Sequence, residues 1–417
     1  MKFLAVAALA GVVAANGACP AGAENKYTAT GVQDVLAAQA TAKTSSPTSN
    51  VKGKAFDRIA HIWFENQNYD KSIGDPNFKS FADKGILLDS YFAVTHPSQP
   101  NYMAAVLGDY FGMQNDDFLS TPYNVSSVID LLQYRGISWG FYQEDMPYSG
   151  FEGYGFKNQQ NGRNDYMRKH NPGMQADSIM HWEQRLSQNK NLSLIDTSRS
   201  MFHKDLAEDK LPQWMFITPN MTSDGHDTDI TTAGKWLAKF LTPLLDDKKF
   251  MKNTLVVITF DENESYPEKN HILAILIGDA VPKELVGTTD TNFYNHYSEI
   301  ATVSANWDLP TLGRWDVGAN VYQMVAKKTG DTLRKWASAD TFNARYYNYS
   351  YAGHFNTHGG NPVFPAPNLD LDNSFNGRKI LSTIKKRWAG STAPSYYKDT
   401  IELPDGLAPP QGYAPIP

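Results

Sequence analysis

Cysteine is almost absent from this chain. Cys19 is the only cysteine among its 417 residues. A single cysteine cannot form a disulfide within the chain, so small disulfide-stapled scaffolds are excluded. Stability must therefore come from an ordinary hydrophobic core, which a chain of this length can readily bury.

Long apolar runs are also missing. The first apolar stretch covers only residues 3–15, follows Lys2, and passes into small residues up to Ala23. It is shorter than the roughly 20 residues that a helix needs to cross a bilayer. A basic start, a short apolar stretch and small residues are typical of a secretory signal peptide. We predict a signal peptide over residues 1–23, cleaved between 15 and 23, and a secreted extracellular protein without a membrane span.

The chain lacks a strong excess of one charge. Its 38 basic and 44 acidic residues give a net charge of −6, without a run of like charge or a basic stripe. Nucleic-acid binding is therefore disfavoured. The expected partner is a small molecule.

Strand-like and helix-like segments alternate at the spacing of βαβ units. We predict a single α/β domain over residues 24–417, with a mostly parallel central sheet, helices on both faces and irregular insertions. The predicted strands are 59–64, 85–94 (one or two strands), 137–142, 214–218, 255–260 and 272–278. The predicted helices are 100–107, 125–134, 233–241 and 298–306. Residues 143–191 are predicted to be an irregular insertion, and residues 404–417 a Pro-rich tail.

Four polar clusters each come directly or shortly after a strand-like run. They are residues 63–66, 95–98, 224–227 and 260–263. The carboxyl ends of parallel strands meet at one edge of a sheet, so these clusters should be neighbours. Together they offer a hydroxyl, carboxylates, an amide and imidazoles, which can hold a divalent cation and activate a nucleophile. This combination indicates a site that cleaves phosphoesters.

Ser98 is the candidate nucleophile. Pro100 suits the first turn of a helix, so Ser98 should lie at or just before a helix N-terminus. Backbone amides and the positive end of the helix dipole could receive a phosphoryl oxygen there while the hydroxyl attacks phosphorus. The alternative is that Ser98 only caps the helix. The motif alone leaves both interpretations open.

Glu65, Asn66, Asp261 and Glu262 are the candidate metal ligands. Adjacent carboxylates at a strand end repel each other unless a cation lies between them. Solvated carboxylates in a turn are the alternative for either pair taken alone. The sequence predicts a divalent metal ion but does not identify it.

Two histidines are candidates for the phosphate pocket. His226 shares a Gly-containing loop with Asp224, and His296 precedes a predicted helix. Either imidazole could ligate a second metal ion or, when protonated, assist the leaving group. His96 is left undecided beside Ser98. The remaining histidines are interpreted as ordinary polar residues: His61, His170, His181, His203, His271, His354 and His358.

Five Asn-x-Ser/Thr sequons are present. Asn220 and Asn263 fall against the predicted site, where a glycan would block entry. Asn124, Asn191 and Asn348 are therefore the predicted glycosylation sites.

The ordered motifs resemble a known family. Residues 65–70, 95–102, 219–227 and 259–263 are similar to motifs of the phosphoesterase family that joins bacterial phospholipases C and acid phosphatases, within the alkaline-phosphatase-like superfamily. The resemblance extends from residue 59 to about 307 and is greatest to the secreted acid phosphatases of filamentous fungi. It implies an alkaline-phosphatase-like fold.

The resemblance also implies residue roles. Ser98 would be phosphorylated during turnover, the four ligands named above would surround the metal, and Asp224, His226 and His296 would complete the phosphate pocket. The implied function is hydrolysis of phosphate monoesters at acidic pH, for phosphate scavenging. A phospholipase C or broad phosphodiesterase is the alternative, although residues 263–266 depart from the phospholipase pattern. A secreted calcium- or carbohydrate-binding protein without activity is the remaining alternative.

Overall fold

The computed structural model describes residues 31–158, 162–266, 268–334, 350–351, 353–356, 364–370, 376–395, 397 and 415–416. The predicted signal peptide, Asn348 and most of the Pro-rich tail lie outside these residues. The described end of the tail, Pro415–Ile416, pairs antiparallel with Ser350–Tyr351.

The described elements alternate along the chain. The strands are β1 Arg58–Phe64, β2 Ile86–Leu88, β3 Tyr91–Phe92, β4 Trp139–Glu144, β5 Gly155–Lys157, β6 Asn164–Met167, β7 Asn189–Leu192, β8 Trp214–Thr218, β9 Thr254–Phe260, β10 Ala274–Ile277, β11 Thr288–Asp290, β12 Tyr294–Asn295, β13 Ser350–Tyr351 and β14 Pro415–Ile416. The helices are α1 Val32–Gln39, α2 Tyr69–Gly74, α3 Pro76–Ala82, α4 Ser98–Leu107, α5 Val128–Tyr134, α6 Asp177–Met180, α7 Glu183–Leu186, α8 Met201–Ala207, α9 Ile230–Asp246, α10 Lys248–Met251, α11 Tyr297–Trp307, α12 Gln323–Thr329 and α13 Ser382–Trp388. Short 3₁₀ turns form at Arg168–His170, Pro172–Met174, Thr197–Arg199, Lys283–Leu285 and Trp315–Val317.

An eight-stranded sheet organises the fold, in the order β11-β2-β10-β9-β1-β8-β4-β7. β10 runs antiparallel to both of its neighbours, and the other pairings in this sheet are parallel. The mostly parallel sheet predicted from the sequence is confirmed. Its parallel centre places the carboxyl ends of β9, β1, β8 and β4 at one edge.

The central strands are covered on both faces. β9 and β8 are buried along their whole length, as expected for parallel strands between two layers. Consecutive side chains of a strand point to opposite faces. Phe64 contacts Phe78 of α3 and Trp236 of α9, whereas Trp63 contacts Tyr102 of α4. Helices therefore pack on both faces of the sheet.

Residues beyond 308 hold the end of helix α4. The chain turns at Gly108, which has the left-handed φ of +73° that favours glycine. The buried guanidinium of Arg314 donates to the carbonyl oxygens of Leu107 and Ser126, both at 2.8 Å. A cation at a helix C-terminus satisfies carbonyls that have no partner within the helix. This part of the chain thus fixes the C-terminal end of α4, the helix that begins at Ser98.

Two local predictions were wrong. The segment 143–191 is not wholly irregular, because β7 extends the central sheet and β5 and β6 form a small antiparallel ribbon. The helix expected from residue 125 begins at Val128, where the backbone N–H of Ser127 donates to the Asp130 carboxylate at 2.9 Å.

None of the helices in the described part of the chain has the length and apolar character that crossing a bilayer requires.

Candidate active site

Backbone hydrogen bonds join three of the predicted clusters at the sheet edge. Glu65 follows β1, and its N–H donates to the carbonyl of Asp224 at 3.1 Å. Asp261 follows β9, the neighbour of β1, and its N–H donates to the carbonyl of Phe64 at 3.0 Å. Parallel pairing aligns Phe64 with Phe260, so the acidic residues that follow them are brought side by side.

Ser98 lies among these acidic side chains. It is the first residue of α4, and Pro97 occupies the N-cap position. Its Oγ is 3.1 Å from Glu65 Oε2 and 3.3 Å from Glu262 Oε1. The hydroxyl therefore donates to a carboxylate rather than capping the helix. One helix turn on, Tyr102 donates its hydroxyl to the other oxygen of Glu65.

The four acidic side chains of the site, which we call the carboxylate cluster, are Glu65, Asp224, Asp261 and Glu262. All four are buried. Burial raises the pKa of each, and the charge of Asp261 raises the pKa of the other three further. Four buried carboxylates without a cation repel one another, so a divalent ion at this place would remove a large electrostatic cost.

The side chains fit such an ion. Ligand atoms of Glu65, His170 and Asp224 lie within 4.8 Å of one another. Asp224 Oδ2 and His170 Nε2 are buried and lack a hydrogen-bond partner within the described residues. Burial, followed by the charges of Lys169 and His226, lowers the pKa of His170 well below its ordinary value. A neutral imidazole and carboxylate oxygens are ligands that transition-metal ions accept.

Asn66 adjoins the same cluster with a left-handed φ of +42°. Its hydrogen bonds are satisfied when the amide nitrogen faces Glu65 Oε2 at 3.3 Å and Asp261 Oδ1 at 3.0 Å. In this orientation the amide oxygen points away from the carboxylates. As placed in the structure, the amide oxygen instead faces the carboxylates and lies 3.5 Å from Ser98 Oγ, which is the orientation that the predicted ligand role needs.

His226 stands at the open side of the site. Its side chain is 27% exposed, and Nδ1 lies 2.8 Å from Asp227 Oδ1. Its backbone N–H donates to Asp224 Oδ1 at 2.8 Å, and its ring centroid is 5.8 Å from that of His170. The imidazole thus lies beside the cluster and is accessible to a ligand.

His296 is buried behind the cluster, away from any open space. Its Nε2 donates to the backbone carbonyl of Asp261 at 2.7 Å, and Tyr91 and Trp63 pack against its ring. Burial lowers the pKa of His296 to about 4, although Glu299 and the Asp261 carbonyl oppose this. A neutral imidazole that faces a backbone carbonyl has no route to a leaving group. The geometry therefore does not support the proton-donor role that the sequence suggested for His296.

The structure adds two histidines to the predicted site. His96 Nδ1 lies 2.6 Å from Glu262 Oε2, and its ring stacks on Tyr266 at a centroid distance of 3.9 Å. His170 Nε2 lies 3.3 Å from Glu65 Oε2. The sequence leaves the role of His96 open and predicts an ordinary polar residue at His170. No sequence signal marked His170, because the 3₁₀ turn that carries it lies in the segment expected to be irregular.

Lys169 brings a positive charge to the cluster. Its Nζ lies 2.9 Å from Asp116 Oδ2, and its side chain is only 11% exposed. Burial lowers the pKa of Lys169, but Asp116, Glu65 and Asp261 outweigh this and raise it above the ordinary value. Reciprocally, the Lys169 charge opposes the rise in the pKa values of Glu65, Asp224 and Glu262.

The sequons differ in accessibility. Asn220 and Asn263 are buried near the site, whereas Asn124 and Asn191 are partly exposed. The Asn191 amide donates to the carbonyl of Arg199 at 2.8 Å, so attaching a glycan there would break this bond. Glycosylation of Asn124 and Asn191 stays a prediction.

A serine hydroxyl among buried carboxylates, at the carboxyl edge of a parallel sheet, defines an α/β enzyme of a phosphoester-cleaving class. The chain belongs to the Phosphoesterase family, whose sequence model matches residues 65–310.

The chain is also similar to individual proteins. The chain is 47% identical over 367 residues to an acid phosphatase of Aspergillus fumigatus, covering 87% of this chain and 79% of that protein. It is 46% identical over 385 residues to a phosphate-repressible acid phosphatase of Penicillium chrysogenum, covering 92% and 86%. Among solved structures, a protein in the alkaline phosphatase superfamily from Vibrio parahaemolyticus has a TM-score of 0.42 and 9% identity, covering 68% of this chain and 73% of that one.

Proposed function

We propose that the protein is a secreted acid phosphatase that hydrolyses phosphate monoesters through a phosphoserine intermediate and serves phosphate scavenging. The observation that carries this proposal is the Ser98 hydroxyl, held 3.1 Å from Glu65 Oε2 within the carboxylate cluster. The names of the fungal relatives support the monoester substrate, and the phosphate-repressible relative supports scavenging. The sequence pattern of residues 1–23 supports secretion.

Ser98 is the nucleophile in this proposal. Its Oγ attacks phosphorus, the bond from phosphorus to the ester oxygen breaks, and phosphoserine forms as the alcohol departs. The Glu262 carboxylate, whose Oε1 lies 3.3 Å from Ser98 Oγ, is the acceptor placed to receive the hydroxyl proton, because Glu65 would hold the cation. Water then cleaves the phosphoserine, which restores Ser98 and releases inorganic phosphate.

A divalent cation would be held by Glu65, His170 and Asp224, with Asp261, Glu262 and the amide oxygen of Asn66 beside it. When bound, the cation would supply positive charge that stabilises the deprotonated serine and the phosphoryl oxygens. Its identity is open, because carboxylates accept calcium, magnesium and transition metals, whereas the imidazole of His170 favours the last group. His296 would position Asp261 through its bond to the Asp261 carbonyl.

The substrate class can be tested directly. We expect the purified protein to hydrolyse p-nitrophenyl phosphate and alkyl monoesters at acidic pH, and phosphatidylcholine much more slowly. Hydrolysis of phosphatidylcholine at a comparable kcat/KM would replace the proposal with a phospholipase C. Failure to turn over any phosphoester, with metal present, would favour the non-enzymatic binding protein.

His226 is proposed to protonate the departing alcohol, because it is the imidazole that lies beside the cluster and is partly exposed. His226→Ala should lower kcat/KM for an alkyl monoester by on the order of 100-fold, since an alkoxide leaves poorly without a proton. The loss with p-nitrophenyl phosphate should be much smaller, because its phenolate departs with little help. The measurement is the ratio of the two kcat/KM values.

His296→Ala provides the comparison for this ratio. A residue that only positions Asp261 should affect both substrates alike when it is removed. Equal losses for both substrates in His226→Ala would instead make His226 a binding residue and leave the proton donor unassigned.

A further inference from the structure

The carboxylate cluster poses an electrostatic problem for its substrate. A phosphate monoester carries up to two negative charges and must approach four buried carboxylates. A single divalent cation offsets only half of the charge of those carboxylates when they are ionised. Stabilisation of a transferring phosphoryl group commonly uses Lys or Arg side chains together with a metal ion.

Lys169 is placed to meet this need. It directly precedes His170, whose ring is 3.3 Å from Glu65 Oε2. Within the described residues, its ammonium pairs with Asp116, which takes one of its three N–H donors. The remaining donors can therefore serve a phosphoryl oxygen.

Asp116 connects this ammonium to the helix turn that carries the nucleophile. Its Oδ2 accepts from Lys169 at 2.9 Å, and its Oδ1 accepts from the backbone N–H of Gln99, also at 2.9 Å. Gln99 is the residue after Ser98, so one carboxylate links Lys169 to the first turn of α4. The Asp116 side chain is 26% exposed, which places the pair on the solvent side of the cluster.

We propose that Lys169 binds the phosphoryl oxygens of the substrate and of the product phosphate, and that Asp116 is only the counter-charge of its ammonium while no phosphate is bound. This proposal rests on the proposed phosphatase function and assigns its phosphate-binding cation. Lys169 touches the substrate, whereas Asp116 does not. Asp116 itself repels the substrate, because its charge has the same sign.

The opposite charges of the two residues provide the test. Lys169→Met and Asp116→Asn each remove the same ion pair, but only the first removes the attraction for phosphate. The amide oxygen that Asp116→Asn introduces can still accept from the Gln99 N–H. We expect Lys169→Met to raise the Kd of inorganic phosphate, measured by calorimetry, about tenfold or more. Asp116→Asn should leave this Kd unchanged or lower it, and Lys169→Arg should recover most of the affinity.

A merely structural ion pair makes a different prediction, namely that both variants weaken phosphate binding by similar factors. That result, or an unchanged Kd in Lys169→Met, would overturn the proposal. If Lys169→Met does not fold, Asp116→Asn decides alone, because weaker phosphate binding in that variant contradicts the proposal. Turnover of p-nitrophenyl phosphate by the unmodified protein is recorded separately, so failure of the phosphatase function is distinguished from failure of the Lys169 assignment.

Discussion

Ser98→Ala should lower kcat on p-nitrophenyl phosphate by on the order of 1,000-fold or more, with the fold intact. The physical reason is that the carboxylates around Ser98 can accept the proton of its hydroxyl, but they do not replace the oxygen atom that attacks phosphorus. Loss of one hydroxyl removes a hydrogen bond to Glu65, which costs about 1 to 3 kcal/mol of folding stability. A domain of this size tolerates such a loss. The measurements are steady-state kinetics and urea unfolding of the two proteins.

Ser200→Ala is the matched control. Ser200 is also a buried serine at a helix start, and its Oγ accepts from the His203 N–H of α8 at 3.4 Å. Its removal should cost about 1 kcal/mol of stability and leave turnover unchanged, since its hydroxyl bonds to the backbone and imidazole of His203, outside the carboxylate cluster. If Ser98→Ala retained more than about a tenth of the activity, a barrier change of only ~1.4 kcal/mol, the serine would not be the nucleophile.

Trapping the phosphoserine intermediate shows whether Ser98→Ala loses activity because the nucleophile is missing or because the site is disturbed. Rapid acid quench of the unmodified protein with a ³²P-labelled monoester should leave label on the peptide that contains Ser98. The Ser98→Ala protein should carry none. Label on another residue would assign the nucleophile elsewhere, whatever the activity of the variant.

The strands that carry the site could be predicted because their signal is local. Strand 59–64 was confirmed as β1 Arg58–Phe64, strand 255–260 as β9 Thr254–Phe260, and strand 214–218 as β8 with the same bounds. Parallel pairing then brings Glu65 and Asp261 together, as the strand-end argument expected. The continuous apolar run of a buried strand and the polar residue that ends it are both visible in a short window of sequence.

His170 and Lys169 could not be predicted, because long-range packing alone brings them to the site. Their 3₁₀ turn packs against α4, and no periodic pattern marks its position at the sheet edge. For His296 the sequence predicted an accessible site residue, and packing makes it inaccessible. Its sequence context resembles that of an accessible loop histidine, but packing against Trp63 and Tyr91 seals it from solvent and lowers its pKa to about 4. Burial of a single imidazole depends on what covers it, which the local sequence does not record.

Glu65→Gln and Asp261→Asn should each lower bound metal and activity together, with activity falling roughly 100-fold or more. Each change removes one negative charge from the group that would hold the ion. Elemental analysis of the purified variants gives the metal content, and the same analysis of the unmodified protein identifies the ion. Treatment with a chelator should abolish activity, and returning that ion should restore it.

The same variants should raise the thermal stability of the protein once the metal is stripped, although they lower its metal content and activity. In the metal-free protein the four buried carboxylates repel one another, so removing one of them relieves part of that cost. Metal-free Asp261→Asn should therefore unfold at higher temperature than the metal-free unmodified protein, whereas the order should reverse when metal is supplied, because ligand binding stabilises the folded state. Ordinary turn carboxylates would show no such reversal.

Asp316→Asn is the control for this reversal. Asp316 is a buried carboxylate outside the cluster, and it accepts from the backbone N–H groups of Leu312 and Arg314 at 2.9 and 3.0 Å. Its loss should change stability by the same amount with and without metal, and leave metal content unaltered. If Asp261→Asn and Glu65→Gln behave like Asp316→Asn, the cluster does not hold a metal ion, and the mutual repulsion of its carboxylates must instead be relieved by protonation, in line with their raised pKa values.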